Sequence, residues 1–454
     1  MEMPDELRLP MPDVPATSSS PLPRRGCSYG AGAFEIVGAG PLFGEVTIGG
    51  GKNAALPILA AAILASEPVW IRNIPALADV AMLLKVLNEL GIAAYSGGDG
   101  TLCLETRDSR PVTASSGLIR KMRAGVCVLG PLLARRGRAE IPLPGGCAIG
   151  DRPIDLHLSG LQRMGATFFS RNGVVVAEAR RLRGAVVSLR GPRGTSVTGT
   201  ANLLMAATLA EGTTTLLHAA KEPEIVDLGR FLIAMGAKIE GLGSSTLRVR
   251  GGKRLAGCDY AILPDRIEAA TFLLAGAITR GRVRAVGARS LHLTAILENL
   301  TKAGVSCEAD DRGVTVGTSG PLRPVSVAAA PYPEVPTDIQ AMWTALMSLS
   351  SGKSLVRDRV FPDRFGHVSE LRRLGANITR TKRGASIHGP ARLSGAEVVT
   401  TDLRAGAALV LAGLAAEGRT RILGIEQLDR GYELLDEKLA ILGASIRRVS
   451  VAPF

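Results

Sequence analysis

The feature that most constrains this chain is a glycine that returns at a nearly constant interval. It follows a run of helix-forming apolar residues every 68 to 74 residues, at Gly91, Gly165, Gly236, Gly304, Gly375 and Gly443. A glycine in this position is typical of a helix that ends in a left-handed residue. A second series of turns falls between these, at Gly137, Gly212, Gly281, Gly352 and Gly418. The regular spacing predicts six copies of one α/β unit.

The size of the units predicts how they are grouped. They are longer than the common solenoid repeats, and three of them fill one domain of ~200 residues. The 454 residues therefore predict two domains of three units, with the boundary near residues 251–263. A solenoid is the alternative, but units of this size can close their own cores. Residues 1–30, rich in Pro and Ser, are expected to form a disordered tail.

Composition argues against several classes of function. The net charge is +13, but the basic residues are scattered and aromatic residues make up only 4%, which disfavours a nucleic-acid-binding protein. The six cysteines form no C-x-x-C pair and we expect no secretory leader, so neither disulfides nor a metal site are expected. The longest apolar run is too short to span a bilayer. We expect a cytoplasmic protein, without a membrane or nucleic-acid partner, that binds anionic small molecules.

The first helix of each unit is expected to begin near residues 53, 123, 200, 265, 338 and 402. Candidate capping residues are Asn53, Thr200 or Asn202, Asp265 with Glu268, Thr337 with Gln340, and Asp402. In a threefold domain three such N-termini gather at one end, and two facing ends form an anion-binding site. Capping alone explains the aspartates. Arg123 and Arg404 oppose the helix dipole unless an anion binds beside them.

Cys147 lies in the most unusual segment, residues 142–153, where glycine and proline flank it on both sides. This composition predicts a loop that can move. Arg152, five residues later, can lower the pKa of the thiol. Cys147 is therefore a candidate acid or nucleophile, and a buried structural thiol is the alternative. The segment Gly49–Lys52 departs from the Walker pattern but can hold phosphate at a helix start.

These motifs resemble the UDP-N-acetylglucosamine 1-carboxyvinyltransferase family from about Phe34 to the C-terminus. The shared segments are GKNAALP at 51–57, KMRA at 121–124, PGGC at 144–147, RPIDLH at 152–157, EPEIVD at 222–227, LPDRIE at 263–268, PTD at 336–338, TDLRA at 401–405 and DRGY at 429–432. The resemblance implies an α/β fold, the two-domain inside-out α/β barrel with six β-α-β-α-β-β repeats. The domains would be 52–263, and 31–51 together with 264–454, so the chain would cross between them twice.

The resemblance also implies a function, the transfer of the enolpyruvyl group of phosphoenolpyruvate to the 3′-hydroxyl of UDP-N-acetylglucosamine, with release of phosphate. This is the first committed step of peptidoglycan precursor synthesis, on which cell shape and division depend. Addition followed by elimination needs an acid at C3 and a base at the hydroxyl. Cys147 is the implied acid, the site of a covalent adduct and the target of fosfomycin; Asp338 is the implied base. No cofactor or metal is required.

Further site residues are carried over from the same motifs. Lys52 is implied in catalysis, and phosphoenolpyruvate is implied to bind Lys52, Asn53, Arg152, Arg404 and Arg430. The UDP-sugar is implied to bind Asn53, Arg123, Arg152, Pro153, Ile154, Asp155, Leu156, Ser196, Asp338 and Val360. Residues 193–200 depart from the family pattern, because a lysine seen there in some members is absent.

Two rival functions make different predictions. The sister family that makes 5-enolpyruvylshikimate 3-phosphate is expected to carry Gly-Ser-Lys-Ser at the first helix and Asn-Ala-Gly-Thr in the second unit. This chain has Gly-Gly-Lys-Asn and a Gly-Gly-Cys loop instead. A non-catalytic paralogue would have lost catalytic residues, yet Lys52, Cys147 and Asp338 are all present.

Overall fold

The computed structural model describes residues 32–38, 40–97, 100–115, 117, 123–142, 154–192, 194–252 and 254–451. The helices α1 to α12 of these residues are Lys52–Ala61, Ala78–Glu89, Leu129–Arg136, Asp155–Arg163, Val197–Ala207, Pro223–Ala234, Arg266–Ile278, Thr294–Lys302, Gln340–Met347, His367–Arg373, Leu403–Ala415 and Leu435–Ile441. Short 3₁₀ helices are Ala62–Leu64, Arg123–Val128, Ser290–His292 and Ile425–Arg430. None of the described helices is long and apolar enough to cross a bilayer.

The strands are short and numerous. In chain order, β1 to β25 are Gly32–Val37, Phe43–Thr47, Val69–Arg72, Ile92–Ser96, Leu102–Thr106, Arg138–Pro142, Thr167–Arg171, Val174–Glu178, Val186–Ser188, Arg190–Gly191, Gly194–Thr195, Thr213–Leu217, Lys238–Glu240, Thr246–Arg250, Asp259–Ala261, Arg282–Val286, Ser306–Asp310, Gly313–Gly317, Val327–Ala329, Lys353–Asp358, Ile378–Thr381, Gly384–His388, Glu397–Val399, Arg419–Leu423 and Ser445–Ser450.

Six of the seven described sheets repeat one pattern, and the seventh is the two-stranded pair of β10 and β11. The strand orders of the six are β15-β3-β5-β4, β6-β8-β7, β13-β14-β12-β9, β17-β18-β16-β2, β19-β20-β22-β21 and β23-β24-β1-β25. In the four-stranded sheets one parallel strand lies beside an antiparallel set. The three-stranded sheet has a parallel bridge between Thr113 and Glu140 in the corresponding place. The predicted α/β class and the six repeats are confirmed.

The six recurring glycines have the geometry that their spacing predicts. All of them have positive φ, between 78° and 99°, and each follows the end of the second helix of its unit. In the second series Gly281 differs, because the left-handed residue there is Arg280, with φ of 57°. The repeat was therefore visible in the sequence because one backbone conformation that favours glycine recurs in every unit.

Helices that begin the units are buried on every side. All thirteen residues of α7 and all eight of α9 are buried, as are eleven of the thirteen in α11. A helix that is apolar all round has no solvent face and must lie inside. By contrast, α8 buries only Ile296 and Leu300, one turn apart on one face. The first helices therefore form the centre, and the sheets and second helices surround them.

Two separate hydrophobic cores result. One contains buried residues between Ala54 and Leu263, and the other contains Phe34 to Ile48 together with Ile267 to Leu442. Strand β1 pairs with β24 and β25, and β2 pairs with β16, so the first strands of the chain belong to the second core. We propose that these cores correspond to the domains 52–263 and 31–51 plus 264–454.

The chain crosses between the cores at two points that lie side by side. Gly50 and Pro264 form an antiparallel bridge. The N–H of Gly51 donates to the carbonyl oxygen of Leu263 at 2.8 Å. A Cβ on Gly50 would lie 1.8 Å from the carbonyl oxygen of Asn73, so no side chain fits there. This arrangement brings the N-termini of α1 and α7 together.

Capping was predicted correctly at two of the five helix starts. Asp265 accepts from the N–H groups of Ile267 and Glu268, and Asp402 accepts from those of Arg404 and Ala405.

The other three predicted caps are wrong. Gly51 precedes α1 where Asn53 was expected, and Ser196 caps α5 where Thr200 or Asn202 was expected. Thr337 does not cap α9: its hydroxyl donates to Asp358 and accepts from Nη1 of Arg364, not from a helix N–H. Glu268, the expected partner in a capping box, instead accepts from the N–H of Gly49 at 2.8 Å.

Candidate active site

Lys52 begins α1 with its side chain buried. Its ammonium lies 2.6 Å from Oδ2 of Asp79, in the first turn of α2. Its backbone N–H donates to Oδ2 of Asp265 at 3.1 Å. Burial lowers the pKa of Lys52, and Asp79 offsets only part of that effect. A cation at a helix N-terminus is unfavourable because it lies at the positive end of the helix dipole. The negative charge of Asp79 compensates for this and stabilises Lys52 at the start of α1.

Asp79 also binds a residue of the other core. Nε of Arg430 lies 3.0 Å from Oδ1 of Asp79. Burial by itself would raise the pKa of Asp79, but Lys52 and Arg430 outweigh it and hold the pKa below its usual value. One carboxylate thus pairs with two cations. The group of Lys52, Asp79 and Arg430 therefore has a net charge of +1, which a bound anion can neutralise.

Asp338 lies between two buried guanidinium groups. Nη1 of Arg364 is 2.9 Å from its Oδ1, and Nη2 of Arg404 is 3.4 Å from its Oδ2. The side-chain amide of Asn53 also donates to Oδ2, at 3.4 Å. Burial opposes ionisation, but the two arginines hold the pKa of Asp338 far below its usual value. Asp338 is therefore ionised, and it is a weak base while both arginines bind it.

Arg404 is fixed by its surroundings on α11. Its guanidinium lies 5.4 Å from the centre of the Tyr432 ring. The hydroxyl of Tyr432 is 2.9 Å from Oγ1 of Thr271 on α7. Nε of Arg404 is buried and has no hydrogen-bond partner among the described residues. Arg404 is thus held in place with one donor available.

Arg364 is a site residue that the sequence analysis missed. It is buried, it bonds Asp338, and its Nη2 lies 3.8 Å from Oδ1 of Asp402. Its signal was present in the sequence, since Asp363-Arg364 repeats the Asp-Arg pair of Asp429-Arg430. Asp79 was missed as well, because an aspartate in the first turn of a helix is explained by the dipole alone.

These contacts bring together five of the predicted residues, Lys52, Asn53, Asp338, Arg404 and Arg430, from both cores. Asp338 and Asp402 balance the charges of Arg364 and Arg404. The uncompensated charge therefore lies on the side of Lys52 and Arg430. Among the described side chains, no three of His, Cys, Asp and Glu are grouped as a metal-binding set.

Val360 is positioned through Asp358. Its backbone N–H donates to Oδ1 of Asp358 at 2.8 Å, and Oδ2 of Asp358 accepts from Thr337, the neighbour of Asp338. This contact links the segment of Val360 to the segment that carries Asp338. The placement agrees with a role for Val360 at the edge of the same site.

Ile154, Asp155, Leu156 and Ser196 lie at the starts of α4 and α5 in the first core. The two helices are joined by His157, whose Nε2 is 3.1 Å from Oγ1 of Thr198. Within the described residues, no hydrogen bond or ion pair connects these four residues to Lys52 or Asp338. The structure thus brings these four residues together at the starts of two neighbouring helices, and their role in binding the UDP-sugar stays a prediction.

Three predicted residues, Cys147, Arg152 and Pro153, lie outside the described residues. For Arg123 the structure describes the backbone alone, which begins the 3₁₀ helix that precedes α3. That start lies where the sequence predicted it.

Comparison with known proteins identifies similar sequences over nearly the whole chain. The EPSP synthase family, described as 3-phosphoshikimate 1-carboxyvinyltransferase, matches residues 36–439. A UDP-N-acetylglucosamine 1-carboxyvinyltransferase from Methylacidiphilum infernorum is 48% identical over 416 residues, 92% of this chain and 98% of the relative. One of the same name from Nitratidesulfovibrio vulgaris is 50% identical over 414 residues, 91% of this chain and 98% of the relative.

Solved structures with the same fold are enolpyruvyl transferases. NikO from Streptomyces tendae has a TM-score of 0.85 at 29% identity, over 93% of this chain and 100% of that one. An EPSP synthase from Acinetobacter baumannii has a TM-score of 0.71 at 20% identity, over 92% of this chain and 100% of that one, and shows the fold alone. The fold predicted from the sequence is confirmed.

Proposed function

The chain belongs to the UDP-N-acetylglucosamine 1-carboxyvinyltransferase family, and we propose that it transfers the enolpyruvyl group of phosphoenolpyruvate to the 3′-hydroxyl of UDP-N-acetylglucosamine with release of phosphate. The observation that carries the proposal is the pairing of Asp79 with both Lys52 and Arg430. It leaves one positive charge where a phosphate can bind, at the junction of the two cores.

The second charged group, formed by Asp338, Arg364 and Arg404, suits the carboxylate end of phosphoenolpyruvate. Arg404 has a buried Nε without a partner among the described residues, and guanidinium groups bind carboxylates in a bidentate manner. The substrate carboxylate at Arg404 and the phosphate at Lys52 and Arg430 would orient C2 between them. Arg152 is proposed to add a further phosphate contact.

Asp338 is proposed as the base at the sugar hydroxyl. Its low pKa makes it a poor base as long as Arg404 and Arg364 both bind it. A substrate carboxylate at Arg404 would draw that guanidinium away and raise the pKa of Asp338. Binding of phosphoenolpyruvate would thereby prepare the base for the hydroxyl, whose oxygen then attacks C2.

Cys147 is proposed as the acid that protonates C3, as the thiol that forms the adduct with phosphoenolpyruvate, and as the target of fosfomycin. Addition gives a tetrahedral ketal, and elimination of phosphate with loss of a proton from C3 restores the enol ether. Asn53, Arg123, Asp155, Ser196 and Val360 are proposed to bind or border the UDP-sugar, together with Ile154 and Leu156.

We further propose a cytoplasmic enzyme that commits its sugar nucleotide to peptidoglycan synthesis, and so supports cell-wall growth and division. The assay that tests the activity measures phosphate released from phosphoenolpyruvate, first with UDP-N-acetylglucosamine and then with shikimate 3-phosphate. Release with the first alone is expected. Release of phosphate with shikimate 3-phosphate alone would show that the chain has the activity of the sister family. Release with neither acceptor would favour a non-catalytic protein.

A further inference from the structure

A cationic cavity lies in the first core, among residues that the proposed function does not use. It has a volume of about 470 Å³ and is lined by Arg135, Arg136, Arg180 and Arg181, together with six uncharged residues. Arg135 and Arg136 end α3, whose preceding 3₁₀ helix begins at Arg123. The cavity shares no lining residue with the candidate site at the crossings.

The positive charge of the cavity is only partly neutralised. Nη1 of Arg181 lies 2.6 Å from Oε1 of Glu211. The guanidinium of Arg136 donates to two backbone carbonyl oxygens, and its Nε is buried without a partner among the described residues. Arg135 and Arg180 are exposed and form no ion pair within the described part of the chain. Four guanidinium groups are thus set against two carboxylates, Glu211 and Asp108, and Asp108 also pairs with Arg110.

The dipole of α3 accounts for only two of the four arginines that line the cavity. Arg135 and Arg136 lie in the last turn of α3, where a cation complements the dipole. Arg180 and Arg181 lie in the turn after β8 and belong to no helix. They nevertheless bring their charge to the same cavity, where like charges repel each other. An anion that binds between them removes this repulsion.

We propose that this cavity binds a small anion with two phosphate groups. Guanidinium groups bind phosphate oxygens in pairs of parallel hydrogen bonds, and several of them around one cavity suit a multiply charged ligand. No aromatic side chain is among the residues that line the cavity, so a nucleic acid would find no base-stacking surface there. The recognised chemistry is therefore the diphosphate itself.

The proposal can be tested with inorganic pyrophosphate as the probe, titrated calorimetrically into the full-length protein. The test variant is Arg135→Gln with Arg180→Gln, since both side chains are exposed and unpaired in the described structure. Arg248→Gln with Arg250→Gln is the matched control, because it removes the same charge from exposed positions of β14 in the same core. Thermal unfolding verifies that both proteins fold.

The parent and the control variant should bind pyrophosphate equally, and the test variant about tenfold or more weakly, because charge-assisted hydrogen bonds are lost. Lys52→Ala removes phosphate binding at the proposed active site and should leave this binding in place. Equal binding by the parent and the test variant would overturn the proposal. Equal weakening in the control, or loss of all binding in Lys52→Ala, would do the same.

A short single-stranded DNA provides the remaining comparison. We expect it to bind more weakly than pyrophosphate, and equally to the parent and the test variant. If the DNA binds more tightly than pyrophosphate, and this binding is lost in the test variant, the cavity is a nucleic-acid site and the diphosphate proposal is wrong.

Discussion

Oδ1 of Asp79 lies 3.0 Å from Nε of Arg430, and this contact joins the two cores directly at the active site. Lys52 holds the other carboxylate oxygen. The same aspartate therefore orients a cation from each half of the chain. Any change in how the cores approach each other would alter the distance between these two cations.

Asp79→Asn should destabilise the protein and impair substrate binding. The neutral amide leaves a buried Lys52 without its counter-ion, and removing one partner of a buried pair costs about 3–5 kcal/mol. The partial exposure of Arg430 favours the lower end of that range. Urea unfolding measures the effect. Asp436→Asn, at a carboxylate 3.8 Å from Arg448, is the control and should cost less than about 1 kcal/mol; an equal loss in the two variants would contradict the prediction.

Asp338 should stabilise the fold in a way that depends on pH. Its pKa is lower in the folded chain than the ordinary value near 3.9, so its contribution is fully present above about pH 4 and is lost as the pH falls toward the folded-state pKa. The difference in the free energy of unfolding between the parent and Asp338→Asn should be constant at neutral pH and shrink below pH 4. Urea titrations across this range would show the trend, and a difference that persists in acid would count against it.

Tyr432 interacts with Arg404 through both its ring and its hydroxyl, and we expect the ring to contribute more to the position of Arg404. Tyr432→Phe keeps the ring 5.4 Å from the guanidinium and removes the bond to Thr271. We expect a loss of about 1 kcal/mol in stability with little change in the KM for phosphoenolpyruvate. Tyr432→Ala removes the ring, so this KM should rise and the loss should reach about 3–5 kcal/mol. Steady-state kinetics decide between them, since equal KM values in the two variants would exclude a positioning role for the ring.

Loss of the Asp265 carboxylate should lower the stability of the fold more than loss of an ordinary N-cap does. It accepts from Ile267 and Glu268 and also from the backbone N–H of Lys52. Ser196 accepts one bond at the start of α5, so Ser196→Ala provides a matched comparison at about 1 kcal/mol. Asp265→Ala should cost at least twice as much by chemical denaturation. A smaller cost would mean that water replaces the contact with Lys52.

Thiol labelling should distinguish Cys147 from the described cysteines. Burial raises the pKa of Cys127 to about 12 and those of Cys103 and Cys258 to about 11, and thiols are unreactive when protonated. Fosfomycin should therefore add once to the parent and not to Cys147→Ser, as intact mass will show. An adduct on the serine variant, or none on the parent, would remove Cys147 from its proposed role.

The sequence predicts best what depends on local geometry. The six glycines revealed the repeat because each occupies a left-handed position. Asp265 and Asp402 revealed their caps because the N–H donors that they bind lie only two or three residues away. Thr337 was predicted wrongly because the group that donates to its hydroxyl oxygen is Nη1 of Arg364, 27 residues further along, and not a helix N–H.

Contacts between distant parts of the chain could not be predicted in this way. Asp79 and Arg430 are 351 residues apart. The residues next to each of them in the sequence do not indicate which partner it binds. The joining of β1 and β2 to the second core followed from a family resemblance, because no local pattern encodes it. The position of Arg364 beside Asp338 depends on the same long-range folding.

The pairing of β1 with β25 also has a consequence for how the protein is made. Gly32–Val37 leave the ribosome about 400 residues before their partner Ser445–Ser450. At about 5–20 residues per second, the first strand waits tens of seconds for its neighbours. Residues 52–263 can fold in that interval, so we expect the second core to close only after Ser445–Ser450 has emerged, around a strand that was made before residues 52–263.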